Sequence, residues 1–373
     1  MKAQKDHSPT TPERLSNLEL RDIPEFATGF KAIKSTLEHI SREAGLGRGL
    51  TGLNKMNQKG GFDCPGCAWP DPDGHRSKLG EFCENGAKAL AEEATTLQAT
   101  PEFFKKHSVP ELLQWTDYEL GKSGRITEPM ILEPGEQNYR PISWEKAFKK
   151  IADELNSLPT PDDAIFYTSG RTSNEGAFLY QLFVRQFGTN NLPDCSNMCH
   201  ESSGSALVET IGIGKGTVKL DDFSKTDLVI IMGQNPGTNH PRMLSALEET
   251  KKHGGKIIAI NPLPEVGLLK FKHPQKLGDM LGKPKELTDI FLQVKINGDV
   301  ALLKAILLFL INAAEKSNPD ALDQRFIQQH TENFPTFLSD LKQNYISELV
   351  AKSEVPYTRF LEASELILKR KKI

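Results

Sequence analysis

The stretch LVIIMGQNPGTNHPRMLSALEETKKHGGKIIAINP, residues 228–262, decides the fold class of this chain. It begins with a continuous apolar run, Leu228 to Gly233, and ends with a second one, Lys256 to Ile260. Such runs indicate strands that are covered on both faces. Between them, Met243 to His253 is predicted to be a helix, which ends at Gly254 and Gly255. A strand, a crossover helix and a second strand predict a right-handed parallel unit.

The residues that follow these two strands are small or polar. Gly233, Gln234 and Asn235 come directly after the first strand, and Asn261 and Pro262 come after the second. Open parallel sheets bind ligands at the carboxyl ends of neighbouring strands. The sequence therefore predicts a ligand at these two strand ends, while the residue types alone leave its identity open.

Further elements are predicted on both sides of this unit. Before it lie a helix capped by Ser143, a strand AIFYTSG (164–170), and a helix opened by Thr172 and Glu175 that ends at Gly188. After it lie a strand DIFLQV (289–294) and a helix that Asp299 caps and that runs to about Glu315. The predicted fold class is α/β, with a doubly wound, mainly parallel sheet.

Charge and hydropathy limit the partners. The chain has 373 residues, with 46 Lys and Arg against 49 Asp and Glu, so its formal net charge is −3. This balance gives no electrostatic reason to expect a nucleic acid or a membrane surface. The longest apolar run, residues 305–311, is too short for a bilayer-spanning helix, which needs about 20 residues. The amino terminus has no apolar segment and no twin arginine, so we expect a cytoplasmic location.

Four regions are predicted along the chain. Residues 1–60 are polar and broken by Gly and Pro, and we expect a leader and surface segment with one helix from Phe30 to Ala44. Residues 61–140 predict a small, loop-rich subdomain that needs a staple to be stable. The α/β domain takes residues 141–315. Residues 316–373 are predicted to be helical and to begin a further, incomplete domain.

The first of two cysteine groups contains Cys64, Cys67 and Cys83, in a C-x₂-C pattern followed by a third cysteine. In a reducing compartment, grouped cysteines more often bind metal or do chemistry than form disulfides. A C-x₂-C turn directs two thiolates at one ion. Spacing alone leaves open an iron–sulfur cluster, a zinc site completed by His75, and an incidental pair in a loop.

The second group, Cys195 and Cys199, lies in the loop PDCSNMCHESSG. Cys199 precedes His200, which is compatible with a nucleophile beside its base, with a soft metal ligand beside a proton acceptor, or with a buried structural cysteine. Adjacent residues do not readily pair as thiolate and base, which disfavours the nucleophile. Cys195 has no such companion and is predicted to be structural. IGIGKG (211–216) misses the spacing of a dinucleotide-binding turn and is predicted to be a flexible loop.

Seven blocks of the chain, in family order, resemble the catalytic subunit of molybdopterin oxidoreductases, in the formate-dehydrogenase-like branch of the dimethyl-sulfoxide-reductase superfamily. They are GFDCPGCAWPDP with FCENGAKA, GRITEPMI with PISWEKAF, TSGRTSNE, NMCHESSG, TDLVIIMGQNPGTNHPRM, KIIAINPLPE and INGDVALL. They extend from about residue 61 to residue 310.

This resemblance implies a cofactor set and a reaction. Cys64, Cys67 and Cys83 would hold an iron–sulfur cluster of the 4Fe–4S type, Cys199 would bind molybdenum, and His200 would take the proton or orient the substrate. Two molybdopterin guanine dinucleotides, the bis-MGD form, would contact Gly233, Asn235, Asn261, Gly298 and Asp299. The implied reaction is the two-electron oxidation of a small anion, formate to carbon dioxide, with electrons leaving through the cluster.

The chain also departs from the family pattern. The usual cluster motif has four cysteines and this one has three, so a fourth ligand would be His75 or an aspartate, or be absent. Lys88 is the nearest substitute for the lysine that closely follows the last cluster cysteine in relatives. Relatives are much longer, which predicts a truncated chain.

These departures define the alternative functions. One is a non-catalytic remnant or split subunit that binds cofactor or a partner chain, the partner being an electron-acceptor protein or a complementary carboxyl-terminal chain. A zinc-binding nucleic-acid module is a third hypothesis. It rests on the C-x₂-C pattern alone.

Overall fold

The structure is a computed structural model that describes residues 24–74, 76–77, 80–169, 172–193 and 200–373. The predictions for His75, Cys195 and Cys199 therefore lie outside the described residues. The chain divides into two compact units. Among the described residues, the first unit contains 43–45 and 93–217, and the second contains 24–42, 46–92 and 218–373.

The strands are β1 (Ala27–Thr28), β2 (Gln98–Ala99), β3 (Arg125–Ile126), β4 (Met130–Ile131), β5 (Arg140–Pro141), β6 (Leu228–Met232), β7 (Lys256–Asn261), β8 (Lys270–Lys272), β9 (Lys285–Glu286) and β10 (Ile290–Gln293). The helices are α1 (Phe30–Glu43), α2 (Leu46–Lys55), α3 (Glu84–Glu93), α4 (Pro101–Lys106), α5 (Val109–Leu112), α6 (Asp117–Gly121), α7 (Trp144–Ser157), α8 (Asn174–Phe187), α9 (Glu201–Ile211), α10 (Pro236–Asn239), α11 (Pro241–Lys252), α12 (Val266–Leu269), α13 (Leu277–Leu281), α14 (Asp299–Lys316), α15 (Gln324–His330), α16 (Phe334–Leu341), α17 (Ile346–Ser353) and α18 (Tyr357–Leu368).

A parallel sheet in the order β10–β7–β6 forms the centre of the second unit. β6 and β7 are connected by α11, so the predicted strand–helix–strand unit is confirmed. The predicted strand DIFLQV is confirmed as β10, on the other side of β7. Met232 pairs with Ile260, and Asn261 pairs with Gln293, so all three strands end at the same edge.

Both faces of the central strand β7 are covered, which explains its continuous apolar run. Ile258 and Ile260 of β7 face a core formed with α14, α17 and α18. Ile257 and Ala259 face the opposite core, which α11, α12 and β8 supply. Because successive strand residues point to opposite faces, the central strand has no position for a polar side chain between Lys256 and Asn261. The α/β class with helices on both faces is confirmed for this sheet.

A second helical layer in the same unit packs α1, α2 and α3 around Ile40, Leu53 and Leu90. The sequence LGRGLTGLNK was predicted to be part of a surface segment, but it forms α2. Its two glycines allow close packing: a methyl group at Gly49 would lie 2.4 Å from Cγ2 of Ile40, and one at Gly52 would lie 2.8 Å from Cδ2 of Leu90. Glycine weakens a helix by about 1 kcal/mol relative to alanine, so this close packing must compensate.

The first unit contains α4–α9 and short two-stranded pairings, β2 with β3 and β4 with β5. The strand predicted for AIFYTSG is wrong, because residues 164–169 form no ladder. Their backbone groups form hydrogen bonds with Asn191 instead. Phe166 N donates to Asn191 O at 2.9 Å, and Asn191 Nδ2 donates to Ala164 O at 3.2 Å. In the described residues, the parallel sheet therefore has fewer strands than the sequence predicted.

Two of the three predicted capping residues need a correction of one position. Ser143 caps α7 as predicted, accepting from Lys146 N. Ser173, not Thr172, caps α8, and Gly298, not Asp299, precedes α14 as its N-cap residue. Hydroxyl and carboxylate residues cluster at these starts, so sequence alone locates the turn better than the capping residue. Among the described helices, none is long and apolar enough to cross a membrane.

Candidate functional site

The predicted ligand edge is formed by the loops that follow β6 and β7, here called the strand-end loops (residues 233–240 and 261–265). Gly233 N donates to Ile260 O at 3.0 Å, so the first loop begins directly beside the end of β7. Gln293 Nε2 donates to Pro262 O at 2.9 Å, which ties the second loop to the end of β10. The structure thus brings Gly233 and Asn261 together at one edge of the sheet.

Each predicted residue in these loops has a defined local role. Gly233 has φ +64, and a Cβ there would meet no atom within 4 Å, so its backbone borders open space. Asn235 caps α10, its Oδ1 accepting from Thr238 N at 3.3 Å. Asn261 is buried, with 8% of its surface exposed, and its Nδ2 donates to Leu263 O at 2.8 Å. Polar side chains therefore shape both loops, and glycine leaves the backbone accessible.

The short helix α10, within the first strand-end loop, touches the short helix α12, which follows the second loop, through glycine. A methyl group at Gly267 of α12 would lie 2.5 Å from the Cα atom and 2.6 Å from the N atom of Gly237 of α10. Backbone atoms cannot rotate away as a side chain can, so any Cβ at these positions must separate the two helices. The glycine pair thus sets the spacing of the two loops.

We expect Gly267→Ala to lower the free energy of unfolding by about 1–3 kcal/mol, the usual cost of overpacking. Urea unfolding followed by circular dichroism measures this. Gly278→Ala is the matched control, since it also lies in a short helix but has no atom within 4 Å of its Cβ position. Equal stability of the two variants would contradict the importance of the contact.

Gly298 and Asp299 lie beyond the end of β10. Gly298 N donates to Lys295 O at 2.9 Å, and a methyl group there would lie 3.1 Å from the Cα atom of Ser353. Asp299 is the first residue of α14. Close packing at the end of α17 therefore favours glycine here, whatever its role toward a ligand.

The three cysteines of the first group are half-buried in the second unit. The Sγ atoms of Cys64 and Cys83 both lie near Gly86, at 2.9 and 3.9 Å from where its Cβ would be. Gly66 N approaches Cys64 Sγ at 3.3 Å, and Gly86 N approaches Cys83 Sγ at 3.4 Å, as N–H donors. The described residues nevertheless contain no set of three or more His, Cys, Asp or Glu side chains already arranged around one ion.

Burial dominates the electrostatics of Cys83. Burial raises the pKa of its thiol, the N–H of Gly86 offsets part of this, and the neighbouring Cys64 and Cys67 raise the pKa further. A cation beside Cys83 would offset the cost of burying its thiolate. The group is therefore chemically suited to a positively charged occupant.

The cysteine-bearing segment contacts the first strand-end loop directly. Asn85 Nδ2 donates to Thr238 O. The Trp69 ring packs against Phe223 and His240, with ring centroids 5.9 and 6.3 Å away. A cleft of about 1220 Å³ in this unit is lined by residues of both segments, among them Cys83, Asn85, Asn235 and Arg242. Trp69 and Arg242 were not predicted from the sequence, although an aromatic residue and an arginine within loop motifs are signals of a functional site.

Two other predicted residues have different surroundings. Lys88 pairs with Glu84 one turn earlier on α3, with Nζ 2.6 Å from Oε1. His200 belongs to the first unit, where it is exposed and precedes α9, its carbonyl accepting from Gly204 N at 2.8 Å. Cys199 lies outside the described residues, so the Cys199–His200 pair cannot be placed as a pair.

A family assignment comes from comparison with known proteins. Residues 125–292 match the family model described as molybdopterin oxidoreductase. The chain carries a molybdopterin oxidoreductase domain. The matched range contains His200 and both strand-end loops, so the resemblance stated from the sequence is confirmed. The cysteine group lies before this range and Gly298 just after it.

Relatives of this molybdopterin oxidoreductase domain extend over most of the chain. An uncharacterized oxidoreductase of Mycobacterium tuberculosis is 54% identical over 83% of this chain and 39% of its own length. The protein YdeP of Escherichia coli is 45% identical over 91% of this chain and 45% of its own length. The chain thus spans less than half the length of these curated relatives.

More distant similarities reach other named proteins. A putative formate dehydrogenase of Staphylococcus aureus is 26% identical over 65% of this chain and 22% of its own length. The solved structure of acetylene hydratase from Pelobacter acetylenicus aligns with 62% of this chain and with 28% of its own length, with 19% identity and a TM-score of 0.46.

Proposed function

We propose that this protein is a molybdenum-dependent oxidoreductase of formate dehydrogenase type. The family match over residues 125–292, which includes both strand-end loops, carries this proposal. The similarity to a putative formate dehydrogenase supports the substrate class. The proposed reaction oxidises formate to carbon dioxide, releasing one proton and two electrons. A cytoplasmic location and an electron-acceptor protein as partner belong to the same proposal.

The strand-end loops are proposed to hold the bis-MGD form of the cofactor. Gly233 fits this role because its left-handed backbone borders open space, where a nucleotide can approach closely. Asn235 and Asn261 offer carboxamide groups on the two adjacent loops. Gly298 and Asp299 are proposed to contribute from the turn after β10. Bound there, the molybdenum cofactor would supply the two-electron chemistry.

The cysteine group is proposed to hold an iron–sulfur cluster of the 4Fe–4S type. Two observations support the fit: backbone N–H groups approach the sulfurs of Cys64 and Cys83, and Gly86 leaves the space beside them free of a Cβ. Hydrogen bonds to ligand sulfurs are a usual means of tuning such clusters. The contacts of this segment with the first strand-end loop would give electrons a short route out of the cofactor site.

Cys199 is proposed to ligate molybdenum and His200 to accept the proton of the substrate. Histidine is the side chain most often used for proton transfer in enzymes, and His200 is exposed at the start of a helix, with room to reach a small anion. We therefore expect His200→Gln to lower the rate of formate oxidation while molybdenum content stays constant.

Anaerobic expression followed by elemental analysis and a formate–dye assay tests the proposal. The expected result is molybdenum and iron in the purified protein, a broad visible absorption that reductant bleaches, and dye reduction that requires formate. Molybdenum without dye reduction would favour the alternative of a chain that binds cofactor without catalysis. Absence of both metals would overturn the proposal.

A further inference from the structure

A single arginine side chain holds the cysteine-bearing segment against helix α11. Arg242, the second residue of α11, donates from Nη1 to Asp71 Oδ1 at 2.8 Å and from Nη2 to Glu81 Oε2 at 3.2 Å. Nη1 also lies 3.4 Å from Trp69 O. The three side chains are 13–16% exposed, so solvent screens these charges little. This is an organised cluster rather than a surface ion pair.

The contact points of Arg242 lie on both sides of the gap between two cysteines. Trp69 and Asp71 follow Cys67 by two and four residues, and Glu81 precedes Cys83 by two. One guanidinium group therefore fixes both ends of the chain that separates Cys67 from Cys83.

The third cysteine is connected to the same cluster through Asn57. Cys64 N donates to Asn57 Oδ1 at 2.8 Å, and Asn57 Nδ2 donates to Glu81 O at 2.6 Å. Arg76 completes the connection: its Nη1 donates to Asn57 O at 2.7 Å and lies 3.6 Å from Asp71 Oδ2. Asn57 is 3% exposed, so it has little freedom to move without the others.

The arginine also couples this segment to the ligand edge. Arg242 follows the first strand-end loop by two residues, so its position is set by the same turn that carries Asn235. Two nitrogens of one guanidinium group contact two carboxylates and a carbonyl, an arrangement that the single ammonium group of lysine does not fully reproduce.

We propose that Arg242 is a positioning residue for the cysteine group, fixing Cys67 and Cys83 relative to each other and to the first strand-end loop. The inference rests on the proposed function, in that the cysteines are taken as cluster ligands. It adds that the ligand spacing depends on a residue far away in sequence, through Asp71 and Glu81.

The test compares Arg242→Gln and Arg242→Lys with the wild-type protein and with Arg140→Gln. Arg140 is a matched control because it also pairs with two carboxylates, Glu133 and Glu136, but is half exposed. Hydrogen exchange is measured on the metal-free protein in peptides covering residues 57–83. Electron paramagnetic resonance and the midpoint potential are measured after anaerobic reconstitution with ferrous iron and sulfide.

We expect Arg242→Gln to speed exchange between Cys67 and Cys83 about tenfold, since the opening of a segment tracks the contacts that close it. Its cluster signal and potential are expected to shift, with Arg242→Lys intermediate and Arg140→Gln unchanged. The proposal would be overturned if Arg242→Gln exchanged hydrogen at the wild-type rate and kept the wild-type electron paramagnetic resonance signal. If the circular dichroism of Arg242→Gln shows that it is unfolded, Arg242→Lys is used in its place, with the same two measurements. Failure of the wild-type protein to take up iron would instead contradict the proposed function, while the exchange rates still decide on Arg242.

Discussion

Replacing Cys83 with serine is expected to remove nearly all iron from the reconstituted protein. Cys83 has a burial-raised thiol pKa, approaches Gly86 N, and shares the space beside Gly86 with Cys64. A serine hydroxyl is a harder donor that does not ionise near neutral pH, so it cannot replace a thiolate ligand. Iron and acid-labile sulfide per chain, with the visible spectrum, measure the effect.

The control for this variant is Cys195→Ser. Cys195 is predicted to be structural, so its serine variant should keep the wild-type iron content. Serine variants of Cys64 and Cys67 should resemble that of Cys83. Iron retention in the Cys83 variant would contradict the assignment of the group as cluster ligands.

The raised pKa of Cys83 also gives a pH dependence. Because burial raises the pKa of this thiol above its ordinary value, the metal-free protein holds the proton over a wider pH range. Cluster formation must release that proton. Iron uptake by the wild-type protein should therefore strengthen as pH rises through the neutral range, and an uptake independent of pH would argue against thiolate ligation by Cys83.

Glu248→Gln is expected to cause the largest loss of stability. Glu248 is 2% exposed, and its two carboxylate oxygens lie 2.6 Å from the Nζ atoms of Lys276 and Lys285, with Lys252 3.7 Å away. The carboxylate is buried, but the lysines it would leave behind are 39–43% exposed and partly compensated by water, so we expect the lost stabilisation to be about 3 kcal/mol, the value that corresponds to lowering the pKa of Glu248 to about 2. Urea unfolding of the purified protein measures the change.

Glu249→Gln is the matched control, because it makes the same chemical substitution at the neighbouring residue of the same helix. Glu249 is 42% exposed and pairs with Lys252 on the surface, so its loss should cost less than about 1 kcal/mol. Similar losses in the two variants would show that burial does not decide the effect.

The same carboxylate predicts how stability changes with pH. Burial alone would raise the pKa of Glu248, but hydrogen bonds from Lys276 and Lys285 outweigh it and lower the pKa to about 2. A carboxyl group with a lowered folded-state pKa stabilises the fold above its unfolded value of about 4.3 and loses this contribution as pH falls toward 2. The difference in unfolding free energy between wild type and Glu248→Gln should therefore narrow below about pH 4.

The local pattern of the chain predicted the centre of the fold well. The two apolar runs that became β6 and β7, and the helix between them, follow from residue types over short distances, and so does the position of Gly233 and Asn261 at one edge. The local sequence pattern did not predict the elements whose structure depends on tertiary contacts. The glycines of α2 weaken a helix by themselves and are explained only by the side chains of Ile40 and Leu90.

The contacts around the cysteines lay beyond sequence reasoning for a similar reason. The spacing of Cys64, Cys67 and Cys83 predicted a shared environment, but nothing near them in sequence indicates that Arg242 joins Asp71 to Glu81. AIFYTSG was predicted to be a short strand, but its backbone forms hydrogen bonds with Asn191 and no strand ladder.

The glycine contact between α10 and α12 restricts how this edge of the sheet can change during evolution or engineering. Because two backbones meet there without any intervening side chain, an insertion in one strand-end loop would push the other out of place. Loop length is therefore a poor means of adapting the edge to a different ligand. Variation should instead accumulate in exposed side chains that do not hold the loop backbones, at positions such as 234 and 263, and a change of specificity can be sought there without rebuilding the loops.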